Sequence, residues 1–322
     1  MRAPEFWYGD SALGTLLAPL GGIWAVGAAV RASRSPKYRS PIPVVCVGNL
    51  SVGGAGKTPV ALSIARLLDG AHFLSKGYGG KEEGPLRVDP ARHSYHQVGD
   101  EPLLLADVAP CWIAKNRIEG AEAAASAGAS CVVMDDGFQD PSLAKDLSIL
   151  VVDGAVGFGN GRCMPAGPLR EPIETGLRRA DAVVILGEDR HFIAGKVAPK
   201  PVLRAWLEPE VEAYVLAGRR VVAFAGIGRP QKFFQTLDNV GANVVEGYAF
   251  PDHYPYHPAE LQELQLASQA QKAFLVTTGK DYVRVPSAFR DQIGVVQMDV
   301  TWDDEAALFG VLSSVLGNRT RL

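Results

Sequence analysis

Apolar residues along this chain follow two rhythms. Short unbroken runs, at Pro43–Val47, Cys111–Ala114, Ser130–Met134, Leu147–Val152 and Ala182–Leu186, read as strands buried on both faces. Between them lie stretches with helical spacing, Pro59–Leu68 and Arg117–Ala127. That alternation predicts an α/β fold: a mainly parallel sheet covered by helices on both faces. A second series starts near Arg220. It comprises Val221–Ala225, a helix over Pro230–Val240, Asn243–Glu246, a helix over Ala259–Ala270, Phe274–Thr277 and a last helix near Asp303–Leu316. This series predicts a second, smaller α/β domain. The Pro-rich Ala198–Pro201 and the following Val202–Pro209 form the predicted crossing, which divides the chain into residues 1–39, 40–200 and 201–322. The last helix has the option of packing back on the first domain.

The N-terminal unit breaks the soluble pattern. Ser11–Val30 contains no charged residue and is rich in Leu, Ala, Val, Ile and Trp. About twenty residues at helical rise approach the ~30 Å hydrocarbon core of a bilayer. Glu5 and Asp10 precede the run, which fits a secretory signal poorly. Arg31, Arg34, Lys37 and Arg39 follow it, as a flank suited to the cytoplasmic face beside anionic lipid. Internal glycines and Pro19 leave a single span and a helix lying partly in one leaflet both open, and a buried core helix is the competing reading of such a stretch. The expectation is a protein at the cytoplasmic face of a membrane, with the membrane surface as a partner.

Composition narrows the function. Hydrophobic residues make up 47% and charged residues 21% of the 322 positions, as in an ordinary globular protein. Thirty-two Lys and Arg against 35 Asp and Glu give a formal charge of −3, which argues against nucleic acid as a partner. The four cysteines form no C-x-x-C pair and read as core thiols of a reducing compartment.

The strongest chemical signal follows the first strand. Gly48-Asn49-Leu50-Ser51-Val52-Gly53-Gly54-Ala55-Gly56-Lys57-Thr58 is a glycine-rich turn between a strand and a helix, the form of a P-loop. Backbone N–H groups from Ser51 to Gly56 can turn inward around phosphate oxygens, and the helix start adds its positive dipole end. Lys57 would reach the β- and γ-phosphates and the Thr58 hydroxyl would bind Mg²⁺. Ser51 stands where the strict pattern wants Gly. The strand Cys131–Met134 then ends in Asp135-Asp136, a carboxylate pair where open α/β sheets bind ligands. These acids, with Glu101, are the metal candidates. Arg117 and Arg170 are cations able to hold phosphate in bidentate fashion. Together these features specify a P-loop phosphotransferase or NTPase without fixing its acceptor.

An ordered set of phrases supplies the acceptor. Gly53-Gly54-Ala55-Gly56-Lys57-Thr58-Pro59, Ser75-Lys76-Gly77-Tyr78-Gly79-Gly80, Val98-Gly99-Asp100-Glu101-Pro102 and Asp135-Asp136-Gly137-Phe138-Gln139 come first. Pro165-Ala166-Gly167-Pro168-Leu169-Arg170-Glu171-Pro172, Phe224-Ala225-Gly226-Ile227, Phe250-Pro251-Asp252-His253 and Thr277-Thr278-Gly279-Lys280-Asp281 follow. In this order they resemble the tetraacyldisaccharide 4′-kinase family. The resemblance implies transfer of the γ-phosphate of ATP, with Mg²⁺, to the 4′-hydroxyl of a tetraacylated glucosamine disaccharide 1-phosphate, giving lipid IVA. It implies Asp100 and His253 as a catalytic pair acting with Lys57 and Asp135, and Lys76 and Tyr78 near the acceptor sugar. A carboxylate-oriented imidazole suits the task, because a sugar hydroxyl is a very weak acid. Lys76 stands where the family usually carries Arg, Asp140 where His is usual, and Gly279 where Glu is usual.

Two other readings compete. A GTP-driven relative of the same broad fold would need an N-K-x-D phrase, and Thr278-Gly279-Lys280-Asp281 lacks the Asn. A membrane-tethered nucleotide switch would need no acceptor chemistry, so Asp100 and His253 would be dispensable in it.

Overall fold

The computed structural model describes residues 4–316. Its larger sheet has nine strands in the order β13-β8-β7-β6-β1-β5-β2-β4-β3. In chain order they are β1 (Val44–Gly48), β2 (Ala71–Ser75), β3 (Leu86–Arg87), β4 (Cys111–Ile113), β5 (Cys131–Asp135), β6 (Leu147–Asp153), β7 (Ala182–Leu186) and β8 (Val202–Pro209). A smaller sheet holds β9 (Arg220–Ala225), β10 (Asn243–Ala249), β11 (Phe274–Thr278) and β12 (Gly294–Val296), after which β13 (Met298–Trp302) rejoins the larger one. Pairing in the large sheet is parallel except at its edges, where β13 runs antiparallel to β8 and β3 to β4.

The unbroken apolar runs behave as a doubly covered sheet requires. Successive residues of a strand face opposite ways. Val45 and Val47 of β1 therefore join one core, with Val60, Ile64, Leu105, Leu308 and Leu312, while Val44 and Cys46 join the other, with Ala121, Ala124 and Ile193. The smaller lobe repeats the device. Val221, Ala223 and Ala225 meet Phe233 and Leu237 of the helix Pro230–Asn239, and Val222 and Phe224 meet Leu261 and Leu264 of the helix Pro258–Ala270.

Sheet membership divides the chain differently from the predicted boundary at residue 200. The Val202–Pro209 crossing is strand β8, and β13 and the helix Glu305–Leu316 also belong to the large unit. The reason lies in their alternation. Leu203 and Ala205 on β8 and Val300 and Trp302 on β13 all point into the first core, and the residues between them are at least partly exposed. A half-buried edge pair lacks the continuous apolar signal of the central strands. The smaller lobe is thus the segment between β8 and β13, inserted into the large sheet. Residues 1–3 and 317–322 of the two terminal units lie outside the described residues.

At the N-terminus the apolar run forms two helices, Ala12–Leu16 and Ala18–Ala32, with Pro19 in the first turn of the second. No helix among the described residues is long and apolar enough to cross a membrane, so the single-span expectation is corrected. Fifteen residues at ~1.5 Å rise fall short of a bilayer core. One side of the second helix, together with Trp7 ahead of both helices, is fastened to the segment Cys163–Arg170. A Cβ on Gly21 would lie 2.8 Å from the Cys163 carbonyl, Trp7 Nε1 donates to Pro165 O at 3.0 Å, and Trp24 Nε1 donates to Arg170 O at 2.9 Å. The helices leave Leu16 (75%), Leu20, Ile23 (71%), Val26 and Val30 exposed.

Candidate active site

Strands β1 and β5 are neighbours in register, with Val47 opposite Asp135. The glycine-rich turn and the acidic pair therefore leave the sheet side by side. Gly53 and Gly56 take φ values of 114° and 81°, which glycine reaches without steric cost. Gly56 sits at the N-cap of the helix Lys57–Arg66, and a side chain there would strike Leu186. Ser51 bridges to Leu169, and Val52 N–H donates to Pro168 O at 2.8 Å, so the departure from Gly at 51 is absorbed by an extended contact.

Thr58 Oγ1 donates to Asp135 Oδ2 at 2.8 Å, whereas Asp135 Oδ1 is buried without a partner. Burial, then the neighbouring Glu101 charge, push the Asp135 carboxyl above the usual carboxylate range, against Lys57 and the Thr58 bond. Asp136 sits in the left-handed region at φ 53°, a conformation costing about 1–3 kcal/mol. Arg170 Nη1 donates to both of its oxygens, at 2.9 and 3.1 Å, and Lys57 Nζ lies 3.8 Å away. Burial would raise Asp136, but these two cations more than offset it and hold it low.

Among the described residues no three His, Cys, Asp or Glu side chains form a metal cage. The donor set instead suits Mg²⁺, which keeps waters and takes one or two carboxylates plus phosphate oxygens. The orphaned Asp135 Oδ1 beside the Thr58 hydroxyl is the fitting observation.

The second cluster straddles both lobes. Asp100 is the first residue of the helix Asp100–Ala106, whose N-cap is Gly99, so it does not serve as the cap. Its Oδ2 lies 2.7 Å from His253 Nδ1. Burial pushes the Asp100 carboxyl up, but the His253 bond and the Lys280 and Arg284 charges outweigh it and hold the group below the usual range. An ionised carboxylate can only accept, so Nδ1 carries the hydrogen, and in the neutral ring Nε2 is the nitrogen left with the lone pair. Lys280 Nζ stands 3.4 Å from that Nε2 and 3.4 Å from Glu101 Oε1. Burial lowers the Lys280 ammonium, and the Glu101, Asp100 and Asp252 carboxylates more than restore it. His253, like Asp136, has a positive φ, 58°.

The structure thus brings Lys57, Thr58, Asp135, Asp136 and Arg170 to the turn, and Glu101, Asp100 and His253 to the cleft beside it. Tyr78 is 79% exposed on a loop whose backbone abuts Gly99, and Lys76 is exposed nearby. Arg117 goes elsewhere. It is buried beneath the sheet ends and donates to Leu74 O at 3.2 Å, so the phosphate-holding expectation for it is corrected to an internal countercharge among Asp140, Asp136 and Asp135. Lys280, Asp281 and Arg284 were not singled out by sequence reasoning. For Lys280 and Asp281 the signal was present in Thr277-Thr278-Gly279-Lys280-Asp281, a strand running into a helix start with charged residues. At Gly279 a Cβ would lie 2.4 Å from Gln297 Oε1, so Gln297 occupies the space beside this departure.

The parallel sheet, the glycine-rich turn and the acids at the neighbouring strand end define a P-loop α/β protein. A family model for tetraacyldisaccharide-1-P 4′-kinase (LpxK) matches residues 13–317. The chain belongs to this family. It is 52% identical to the tetraacyldisaccharide 4′-kinase of Rhodospirillum rubrum, covering 99% of both chains, and 51% identical to that of Rhodospirillum centenum, covering 99% and 98%. The crystal structure of the "apo" form of LpxK from Aquifex aeolicus in complex with ATP is similar at a TM-score of 0.77 and 28% identity, covering 94% of this chain and 99% of that one.

Proposed function

We propose that the chain transfers the γ-phosphate of ATP to the 4′-hydroxyl of a tetraacyldisaccharide 1-phosphate, giving lipid IVA. The observation that carries this reading is the Asp100–His253 pair, joined at 2.7 Å across the lobe boundary. A nucleotide switch has no use for such a pair.

The N–H groups opening the helix at Lys57, with the Lys57 ammonium, bind the β- and γ-phosphates. Thr58 and Asp135 would hold Mg²⁺, with Asp136 and Glu101 beside them. When bound, the ion neutralises charge on the phosphoryl oxygens. Arg170 keeps Asp136 in place, and Asp136 in turn faces Lys57. His253 Nε2 takes the proton of the sugar hydroxyl as the new P–O bond forms and the bond from the γ-phosphorus to the departing ADP breaks, while Asp100 fixes the tautomer and balances the resulting charge. Lys280 reaches the same atom and supplies positive charge next to the transferred group. Lys76 and Tyr78 line the sugar side. The exposed apolar face of residues 16–30 lies in the headgroup layer of the inner membrane, on its cytoplasmic side, where an acylated acceptor stays embedded.

The test is a transfer assay with labelled ATP and two acceptors, the tetraacylated disaccharide 1-phosphate and its deacylated counterpart. Label appearing at the 4′ position of the acylated acceptor is the expected result. Nucleotide hydrolysis with no labelled acceptor of either kind would sink the proposal.

A further inference from the structure

One buried cation has no part in the scheme above. Arg284 is 2% exposed. Its Nη2 donates to Asp281 Oδ1 at 2.5 Å and to Gly226 O at 3.0 Å, and its guanidinium lies 5.8 Å from the Tyr256 ring centroid. Its Nη1 has no hydrogen-bond partner and lies 3.8 Å from Asp100 Oδ2. A buried guanidinium is an expensive group to keep where only packing is needed.

The Gly226 carbonyl that receives Arg284 also receives the backbone N–H of His253, at 3.1 Å. The N–H of Gly226 donates in turn to Asp281 Oδ1 at 2.8 Å. Gly226 is therefore gripped through both of its flanking peptide groups, its N–H by Asp281 and its carbonyl by Arg284. Asp281, fully buried, is itself fixed by the Tyr256 hydroxyl at 2.7 Å and the Thr278 hydroxyl at 2.5 Å. Close fit explains the glycine, since a Cβ at 226 would stand 2.9 Å from both Pro251 O and Tyr256 Oη. His253 holds a left-handed backbone, which persists only where the surroundings over-determine it. The Gly226 carbonyl is one of those constraints.

We infer that Arg284 is a positioning residue for phosphoryl transfer: one guanidinium fixes the peptide on which His253 hangs and faces the carboxylate of Asp100, aligning the pair across the two lobes. This rests on the proposed role of Asp100 and His253. The planar fork is what the place requires, because a lysine carries its charge and three donors on a single nitrogen, whereas the guanidinium puts Nη2 on Gly226 and Asp281 and a second nitrogen, Nη1, toward Asp100.

The experiment uses the full chain as Arg284→Lys, Arg284→Met, His253→Ala and the double variant Arg284→Met/His253→Ala, assayed with ATP and the acylated disaccharide 1-phosphate. Misplacing a reacting group by about 1 Å costs on the order of 10²-fold. Arg284→Met is therefore expected to lose about that factor in kcat with KM for ATP unchanged, and Arg284→Lys to fall between it and the parent. The double variant should be no slower than His253→Ala alone, because Arg284 acts through the pair. Wild-type kcat in Arg284→Met, or losses that multiply in the double variant, would overturn the inference. If the methionine protein does not fold, the same cycle run with Arg284→Lys decides the matter by the same criterion. An undiminished kcat in His253→Ala would instead overturn the reading of the pair beneath it.

Discussion

The phosphate turn and the Asp100–His253 pair are built in opposite ways. The turn is local: one strand, one loop and one helix in sequence, anchored against β5 and the 168–169 segment of the same lobe. The pair is assembled from residues 153 positions apart, one in each lobe, and the second lobe holds its half through a buried Arg–Asp–Tyr network. A local site is specified by its own motif and survives changes elsewhere. An assembled site depends on how two bodies meet, so it can be disabled without touching nucleotide binding.

The largest break in this contrast is expected from Lys57→Ala. Charge stabilisation at a transferred phosphoryl is worth about 10³–10⁵ in kcat, so transfer should collapse by a factor in that range and nucleotide affinity should fall with it, read by calorimetry. His253→Ala comes next. General-base help is worth about 10²–10⁴-fold, so turnover should drop by that much while nucleotide affinity holds. If affinity fell in parallel, the two regions would not be separable.

A smaller effect concerns pH. The folded carboxyl of Asp100 titrates below its unfolded value of about 3.9, so its contribution to stability is full above that value and is lost as pH falls through the folded one. The melting temperature of Asp100→Asn should therefore lie below the parent at pH 7, with the gap closing below about pH 4. A gap unchanged over that range would remove the ionised carboxylate from the account. The mildest change leaves both regions intact. Ile23→Asp with Val26→Asp should weaken binding to anionic vesicles about tenfold or more, measured by co-sedimentation, with little effect on nucleotide affinity. Unaltered sedimentation would place the lipid contact on another surface.

Legibility in the sequence follows the same division. The central strands, the P-loop and the acid pair were readable because each is a contiguous pattern with its own period or turn chemistry. The β8/β13 pair was not, since only one face of each strand is apolar and its partner lies about ninety residues away across an inserted lobe. Arg117 was misplaced for a related reason: sequence shows a cation at a helix start but not that the helix buries it against Leu74. The short strand Ala71–Ser75 escaped because His72 and Ser75 interrupt its apolar run. Arg284 gave no signal, because its meaning resides in the Gly226 carbonyl it shares with His253.

The strands that carry the chain out of and back into the large sheet lie side by side, with Glu208 paired to Asp299 and Pro209 to Met298. The inserted lobe is therefore removable by topology: a tight hairpin turn across that register would leave the nine-stranded order intact. Such a shortened polypeptide would keep the Lys57–Asp135 half of the machinery and lack His253, Lys280 and Arg284 altogether. Capture of phosphate donor and delivery to acceptor would then be dissected by a single excision, with no side chain of the first half altered.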